Sequence, residues 1–328
     1  MSDAPVASLR VLIIGAGLIG GHVAAELAGR GHEVSVYSRS LNPWLAVKIT
    51  EGLPVRVLRA QVPVTPGTPP APDLVELIRA CDVVVMVAGS STPAFSDADA
   101  AGSVMGSLVP VVGVLDAMRR TATRRIVLAS SGGTVYGRVT TVPTPEDHPT
   151  RPISLHGLHA LTSERYADFY AQAYGLRPTV LRFSNVYGPG QQLRGSQGVI
   201  AHWCEALVAQ RPIALLGDGA ARRDFVHVSD AGRAVTAAVE RDVPGTYNIG
   251  GGGSVSLAEL LDTLTAAAGV ATSIERLPAR DVDVPVTELD CTRFCSATGW
   301  RPCISLSDGL ADTWAWFASG RAPRMRRL

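Results

Sequence analysis

The order of residue patterns predicts an α/β protein built on a doubly wound parallel sheet. Three stretches carry that prediction. The first runs Arg10-Val11-Leu12-Ile13-Ile14 into Gly15-Ala16-Gly17-Leu18-Ile19-Gly20, and a helical pattern follows at once from His22 to Ala28. The other two are the apolar runs Asp82 to Gly89 and Arg125 to Ser131. Runs of this kind belong to strands covered on both faces of a parallel sheet. Helical segments separate them, and strands alternating with helices define the doubly wound class.

The first stretch reads as strand, tight turn and helix. Gly15 permits the turn, Gly17 lets the backbone approach a pyrophosphate, and Gly20 lets the helix lie close to the strand. The helix N-terminus offers free N–H groups and the positive end of its dipole to phosphates. Gly15, Gly17, Leu18, Ile19 and Gly20 are therefore the predicted dinucleotide loop, with Ala88 and Gly89 at the end of the 82–89 strand completing the cofactor set. The helix stops at Gly29-Arg30-Gly31, and a second strand runs from His32 to Tyr37. An NAD site usually ends that strand in Asp or Glu, to hold the ribose 2′-hydroxyl. Here it ends in Ser38-Arg39-Ser40. A guanidinium beside two hydroxyls suits a 2′-phosphate, so NADP(H) is favoured and NAD(H) stays open.

A Pro- and Gly-rich region follows from Gln61 to Pro72, then a short helix from Asp73 to Ala80 leading into the 82–89 strand. A long helix spans roughly Ser103 to Arg120 before the 125–131 strand. The 328 residues, 46% of them hydrophobic, suffice for a large core and about two domains. A formal charge of +1 gives no support for nucleic-acid or membrane partners. The basic cluster Arg321, Arg324, Arg326 and Arg327 reads as a solvated tail. No apolar run reaches the ~18 residues of a membrane span, so no spanning segment is expected. Met1 to Pro5 lacks the pattern of a signal peptide, and the odd count of five cysteines fits reduced thiols. A cytoplasmic protein is the expectation. Cys291, Cys295 and Cys303 have no partner at zinc-site spacing, so no metal is expected.

From Ala129 onward the chain resembles a known family. Ala129-Ser130-Ser131-Gly132-Gly133-Thr134-Val135-Tyr136-Gly137 resembles the S-S-x-x-V-Y-G stretch of the extended short-chain dehydrogenases/reductases, the nucleotide-sugar epimerase and dehydratase family. Leu181-Arg182-Phe183-Ser184-Asn185-Val186-Tyr187-Gly188-Pro189-Gly190 is similar to its L-R-x-x-N-V-Y-G-P-G. Gly217-Asp218-Gly219 with Arg223-Asp224-Phe225-Val226-His227-Val228-Ser229-Asp230 is similar to its G-D-G…R-D-F-V-H-V-x-D. Thr246 to Gly250 and Gly299 to Pro302 match as well, and the tail from Asp290 looks like that of deoxysugar 4-ketoreductases.

The resemblance implies a Rossmann domain over 1–178 and 225–250, carrying a smaller discontinuous α/β substrate lobe over 179–224 and 251–328. It implies a nucleotide-diphosphate sugar, or a close analogue, as the ligand of that lobe. Asn185 would touch it, and Arg223 and Arg280 would clamp its diphosphate, two bidentate donors of permanent charge. A structural ion pair of Arg223 with Asp224 or Asp230 is the alternative. The resemblance also implies a homodimer through a two-fold four-helix contact made by the helices near 103–120 and 157–174. In the second of these, Leu158, Leu161, Tyr166, Phe169, Ala173 and Tyr174 make a stripe broader than one core face.

The family's catalysis uses a Ser or Thr, a Tyr, and a Lys four residues after that Tyr. Here Pro152-Ile153-Ser154-Leu155-His156-Gly157-Leu158-His159-Ala160 aligns with P-x-S-P-Y-G-x-S-K, which puts His156 at the tyrosine and Ala160 at the lysine. Gly132 stands at the Ser/Thr position. Three readings follow. His156 acts in place of the tyrosine, since an imidazole titrates near pH 6.5 without a lysine's help. Alternatively Tyr136 or Ser131 takes over the acid role, or the chain binds ligands without redox chemistry. Reducing a keto-sugar needs only a proton donor to the developing alkoxide, whereas oxidising an alcohol needs a base. Together with Arg39, this leans towards an NADPH-linked ketoreductase ahead of an epimerase or dehydratase, with a non-catalytic subunit as the alternative.

Overall fold

A computed structural model describes residues 7–62, 70–89, 99–193, 198–278 and 284–322. The first half of the chain runs β1 (Arg10–Ala16), α1 (Leu18–Gly29), β2 (Glu33–Leu41), α2 (Pro43–Thr50), β3 (Val55–Arg59), α3 (Pro72–Ala80), β4 (Val83–Met86), α4 (Ala100–Arg119), β5 (Arg125–Ser131), a single turn α5 (Gly132–Val135), α6 (Leu155–Tyr174) and β6 (Arg177–Phe183). The second half runs β7 (Asn185–Tyr187), α7 (Val199–Val208), β8 (Ile213–Leu216), β9 (Arg222–His227), α8 (Val228–Arg241), β10 (Gly245–Ile249), β11 (Ser254–Ser256), α9 (Leu257–Ala268), β12 (Ile274–Leu277), β13 (Val286–Thr287), α10 (Thr292–Thr298) and α11 (Leu306–Ala318).

Seven parallel strands form the central sheet in the order β10-β6-β5-β4-β1-β2-β3. Alternate residues of each strand enter opposite cores, as the two-residue period requires. Val11, Ile13, Val36 and Val85 pack under α1 and α8, against Val23, Leu27, Ala231 and Val235. Leu12, Ile14, Val84 and Met86 pack under α3, α4 and α6, against Leu74, Val114, Leu115 and Ala167. From β1 the chain runs outward to β2 and β3 and then crosses back to β4 on the other side of β1, which makes the crevice beyond the C-terminal ends of β1 and β4 the expected ligand position.

The lobe is built on β9, paired by β7, β11 and β13, with β8 and β12 forming a separate two-stranded ribbon. Its core joins Ile200, Trp203, Leu260, Leu264, Leu310 and Phe317 from α7, α9 and α11. The expected boundaries need correction. β6 begins at Arg177 and pairs with β5 and β10, so the lobe starts after Phe183 rather than at 179. β9 keeps the chain in the lobe's sheet through His227 rather than 224. Phe294 and Trp300 return to the large core, where Phe294 meets Tyr247 and Trp300 edge-on at 5.4 and 5.6 Å.

Three further differences are local. β2 continues through Ser38, Arg39 and Ser40 to Leu41, and α2 and β3 were not anticipated. The Gln61–Pro72 region falls partly outside the described residues. α4 is long and apolar enough to cross a membrane, with a mean hydropathy of 1.6, against the expectation that no such segment exists. Its glycines and serines interrupt the apolar run but leave the mean high. In the fold it packs against α3 and α6 and buries Val111, Val114, Leu115 and Met118.

A compact clasp joins the two lobes. His22 of α1 stacks on Trp44 at 3.7 Å, and its Nε2–H donates to the Pro189 carbonyl at 3.0 Å. Asn42 caps α2 through Oδ1 and donates Nδ2–H to the Gly190 carbonyl at 2.7 Å. Trp44 packs against both the large core and the lobe core.

Two buried groups give stability opposite dependences on pH. Burial pushes His22 down to about 4. The unfolded chain takes up that proton near pH 6.5, so stability is lost as pH falls from about 6.5 to 4. Burial pushes Asp224 up to about 7, outweighing the N–H bonds from Gly251 and Leu289. The unfolded carboxyl loses its proton near 3.9, so here stability is lost as pH rises from about 4 to 7. Asp224→Asn is expected to gain stability relative to the parent as pH rises through that window, and His22→Phe as it falls. Urea denaturation at a series of pH values reads both slopes, and pH-independent differences would reject them.

Candidate active site

The glycine turn is shaped by close approach. Gly15 has φ +104°, and a Cβ there would lie 2.7 Å from the backbone of Ala88. A Cβ on Gly20 would lie 1.9 Å from the Gly15 carbonyl oxygen. Around Gly17 there is open space instead, at the N-cap of α1, where no side chain caps the helix and no acidic residue occupies the first turn. Gly17, Leu18 and Ile19 thus present uncapped N–H groups beside an opening, with half-buried Ala88 and exposed Gly89 across the crevice. These features fit a dinucleotide pyrophosphate.

At the end of β2 the two expected phosphate ligands separate. The Ser38 hydroxyl accepts the Ala16 N–H at 3.1 Å and donates to the Ser40 carbonyl at 2.9 Å, so it holds the glycine turn rather than waiting for a phosphate. Arg39 is exposed.

Tyr136 does not fit the acid role. It is 2% exposed, and its hydroxyl donates to Asn248 Oδ1 at 2.7 Å while accepting from Arg182 at 2.9 Å. Burial raises its pKa further. Arg182 in turn holds Glu164 in a two-pronged ion pair, 2.7 and 3.0 Å, and Ser130 donates to the same carboxylate. The phenol is a structural link with its proton already committed. Ser131 sits half-buried at the N-cap of α5, without a side-chain capping bond.

Residues 132, 156 and 160 lie at the start of α5 and in the first turns of α6, and residue 132 is closely packed. A Cβ on Gly132 would fall 2.5 Å from Leu289 Cδ1 and 3.0 Å from the Arg182 carbonyl oxygen. Leu289 also packs with Val135 and Tyr136, and Ala160 and Leu161 close against that cluster. Backbone bonds hold Leu289 there. Its N–H donates to Asp224 at 3.2 Å, and Thr144 bonds both neighbours, accepting from Asp290 at 2.9 Å and donating to Glu288 at 2.8 Å. Leu289 therefore fills the space beside Gly132, and half-buried Ala160 sits against the same apolar cluster. His156, half-buried in the first turn of α6, is the titratable group that remains of the three. No local signal marked Leu289, because only the fold brings residues 132 and 289 together.

In the lobe, Asn185 is exposed and its Nδ2–H donates to the Asp224 carbonyl at 2.9 Å. Arg223 is half-buried and donates to the Arg222 carbonyl at 2.8 Å. Asp230, one of its two suggested acid partners, pairs with Arg233. Arg280 lies outside the described residues.

Residues 11–250 match the model of the NAD-dependent epimerase/dehydratase family. The UDP-glucose 4-epimerase of Mycolicibacterium smegmatis is 35% identical over 64% of this chain and 68% of its own. The dTDP-4-dehydro-6-deoxyglucose reductase of Escherichia coli is 33% identical over 57% of this chain and 59% of its own. The crystal structure of Thermus thermophilus UDP-glucose 4-epimerase in complex with NAD superposes with a TM-score of 0.83 at 30% identity, over 94% of this chain and 99% of that one. The chain belongs to the NAD-dependent epimerase/dehydratase family, whose members similar to it are enzymes of nucleotide sugars.

The packing around Gly132 generates a quantitative expectation. Gly132→Ser should destabilise by about 1–3 kcal/mol through overpacking, and Leu289→Ala by about 2–5 kcal/mol through the cavity it opens. The double variant should lose less than the sum, because each change relieves the other. A double-mutant cycle from denaturant midpoints measures the coupling, and strict additivity would show that the two side chains do not compete for one space.

Proposed function

We propose that this family member binds NADP(H) in preference to NAD(H), together with a nucleotide-diphosphate sugar, and reduces a keto group of that sugar. The observation that carries the reading is the contrast inside the site. The glycine turn leaves space open at Gly17, while Leu289 fills the space beside Gly132 and Ala160 offers no amine. Oxidising an alcohol needs a base with a tuned pKa, and a lysine is the usual tuning group. Reduction needs only a donor to the developing alkoxide, and the imidazolium of His156 suffices. The dinucleotide, when bound, supplies the hydride to the carbonyl carbon. His156 gives its proton to the carbonyl oxygen and recovers one from solvent. Exposed Arg39 supports the 2′-phosphate assignment, and Asn185 and Arg223 line the lobe for the sugar nucleotide. The relative in Escherichia coli that bears a reductase name agrees with this direction.

His156→Phe keeps the bulk and removes the proton, so turnover on a 4-keto sugar nucleotide should fall at least about 100-fold, while substrate binding survives. Parent activity should decline as pH rises through the histidine range, since the protonated form is the active one. Arg39→Ala should weaken NADPH and leave NADH nearly unchanged. Unaltered turnover in His156→Phe would remove the histidine from the mechanism. A second reading, a ligand-binding subunit without turnover, is favoured by the same filling of the catalytic positions. Tight binding of both ligands with no hydride transfer would establish it.

We also propose a homodimer through α4 and α6. These helices pack side by side and turn Met105, Leu158, Tyr166, Phe169 and Tyr174 outward, with Phe169 56% exposed. An exposed apolar face supports that reading. Sedimentation at micromolar concentration should give twice the 34.4 kDa chain mass, and Phe169→Glu should halve it. A monomeric parent would contradict the assignment.

A further inference from the structure

The edge of the large sheet opposite the glycine turn holds a cavity of its own. Its volume is about 210 Å³, and it opens beside the first residues of β1, β2 and β3. Arg10 begins β1 and the glycine turn follows at its far end, so at ~3.3 Å per residue the two places lie roughly 20 Å apart.

Strand alternation explains why the space exists. Leu12 on β1 pairs with Ser35 on β2, and Ser35 pairs with Arg56 on β3. Glu33 lies two residues before Ser35, so its side chain shares their face of the sheet. This is the face on which Leu12 packs under α3 and α4. The helical cover ends there, since Ser35 is half-buried and Glu33 and Arg56 are exposed. A face of a parallel sheet is ordinarily apolar and covered. Here three polar residues replace that surface, while Leu12 and, from the end of α3, Leu77 and Ala80 supply an apolar lining.

The charges around the cavity are unequally committed. Arg10 is held by Asp82 through bonds of 2.6 and 3.3 Å. The side chains of Glu33, Ser35 and Arg56 make no hydrogen bond or ion pair with the described residues. One anion, one cation and one hydroxyl therefore line a small apolar space with their bonding capacity unused. Cys81 lines it too, but its thiol donates to the Ile78 carbonyl at 3.3 Å and burial pushes it up to about 12. A thiol so protonated is no nucleophile near neutral pH, so the cavity is equipped to bind rather than to react.

We propose that this cavity binds a small zwitterion with a short apolar body, of the apolar α-amino acid class. Arg56 takes the carboxylate in a bidentate pair, helped by the Ser35 hydroxyl, and Glu33 takes the ammonium. Along β2 and across to β3 the two charged residues are offset by roughly 6.6 and 4.8 Å, within reach of side chains of their length. The apolar body rests on Leu12, Leu77 and Ala80. The volume lies below the roughly 300–1,000 Å³ of sites for drug-sized ligands, which excludes a nucleotide. The site is independent of the proposed cofactor and reaction.

The test is calorimetric titration of the parent, Arg56→Ala, Glu33→Gln and Ala80→Trp with three probes. L-Leucine carries both charges, 4-methylpentanoate lacks the ammonium, and 3-methylbutylamine lacks the carboxylate. Leucine should saturate one site on the parent and bind about tenfold more tightly than either analogue, the size of one charge-assisted bond. Arg56→Ala should weaken leucine and 4-methylpentanoate about tenfold and leave the amine unchanged. Glu33→Gln should weaken leucine and the amine and leave 4-methylpentanoate unchanged. Ala80→Trp should fill the space and abolish binding. The two charged residues are exposed, so their variants keep the comparison available if the tryptophan variant does not fold. Absence of saturable leucine binding would overturn the proposal, as would equal binding by the parent and the folded variants. Tighter binding of 4-methylpentanoate than of leucine would overturn the zwitterion assignment.

Discussion

Most of the site's geometry depends on one buried ion pair. Arg182 and Glu164 have side chains 7% and 6% exposed, and no water is needed to satisfy them, because Tyr136, Ser130 and the Glu146 carbonyl complete their hydrogen bonds. Removing one partner would strand a buried charge at a cost of about 3–5 kcal/mol. The pair fastens α6 to β6. Through the Tyr136 hydroxyl it reaches Asn248 at the end of β10, and Asn248 holds the Thr144 carbonyl at 2.9 Å. Thr144 brackets Leu289 from both sides. A continuous line of hydrogen bonds thus runs from the helix bearing both histidines to the leucine pressed on Gly132. That leucine is held by the same network that ties α6 to the sheet.

The same network explains which parts of the site were legible in the sequence. The glycine turn was, because its requirement is local: Gly15 must adopt positive φ, and Gly20 must let a carbonyl pass within the reach of a Cβ. The alternating strands were legible for the same reason, since their period belongs to contiguous residues. Tyr136 was misjudged because the fate of its proton depends on residues 182 and 248, which the fold alone brings near. Ser38 resembles a phosphate ligand by composition, yet its hydroxyl closes the turn at Ala16. The lobe boundary slipped because Arg177–Phe183 is a buried strand whose sheet is chosen by pairing with β5 and β10. α4 escaped notice as a long apolar helix because Gly and Ser punctuate it without making it polar.

Family membership and the packing beside the glycine turn together define a specific physical problem. The turn has a shape that a dinucleotide pyrophosphate fits, and Ala160 lies against an apolar cluster. On the proposed reading, position 160 brings no cation to the site. The acid proposed at position 156 then relies on its own chemistry, and imidazole is the side chain whose ordinary pKa lies near neutrality.

The pairing of Gly132 with Leu289 also couples two distant stretches of the chain. The two residues are far apart in sequence and share one volume. A larger side chain at 132 requires the leucine to turn aside or the Arg182 carbonyl to shift, and a smaller one at 289 leaves a void. Whatever occupies one position limits what the other can hold, so the interior stays filled only when the two change together.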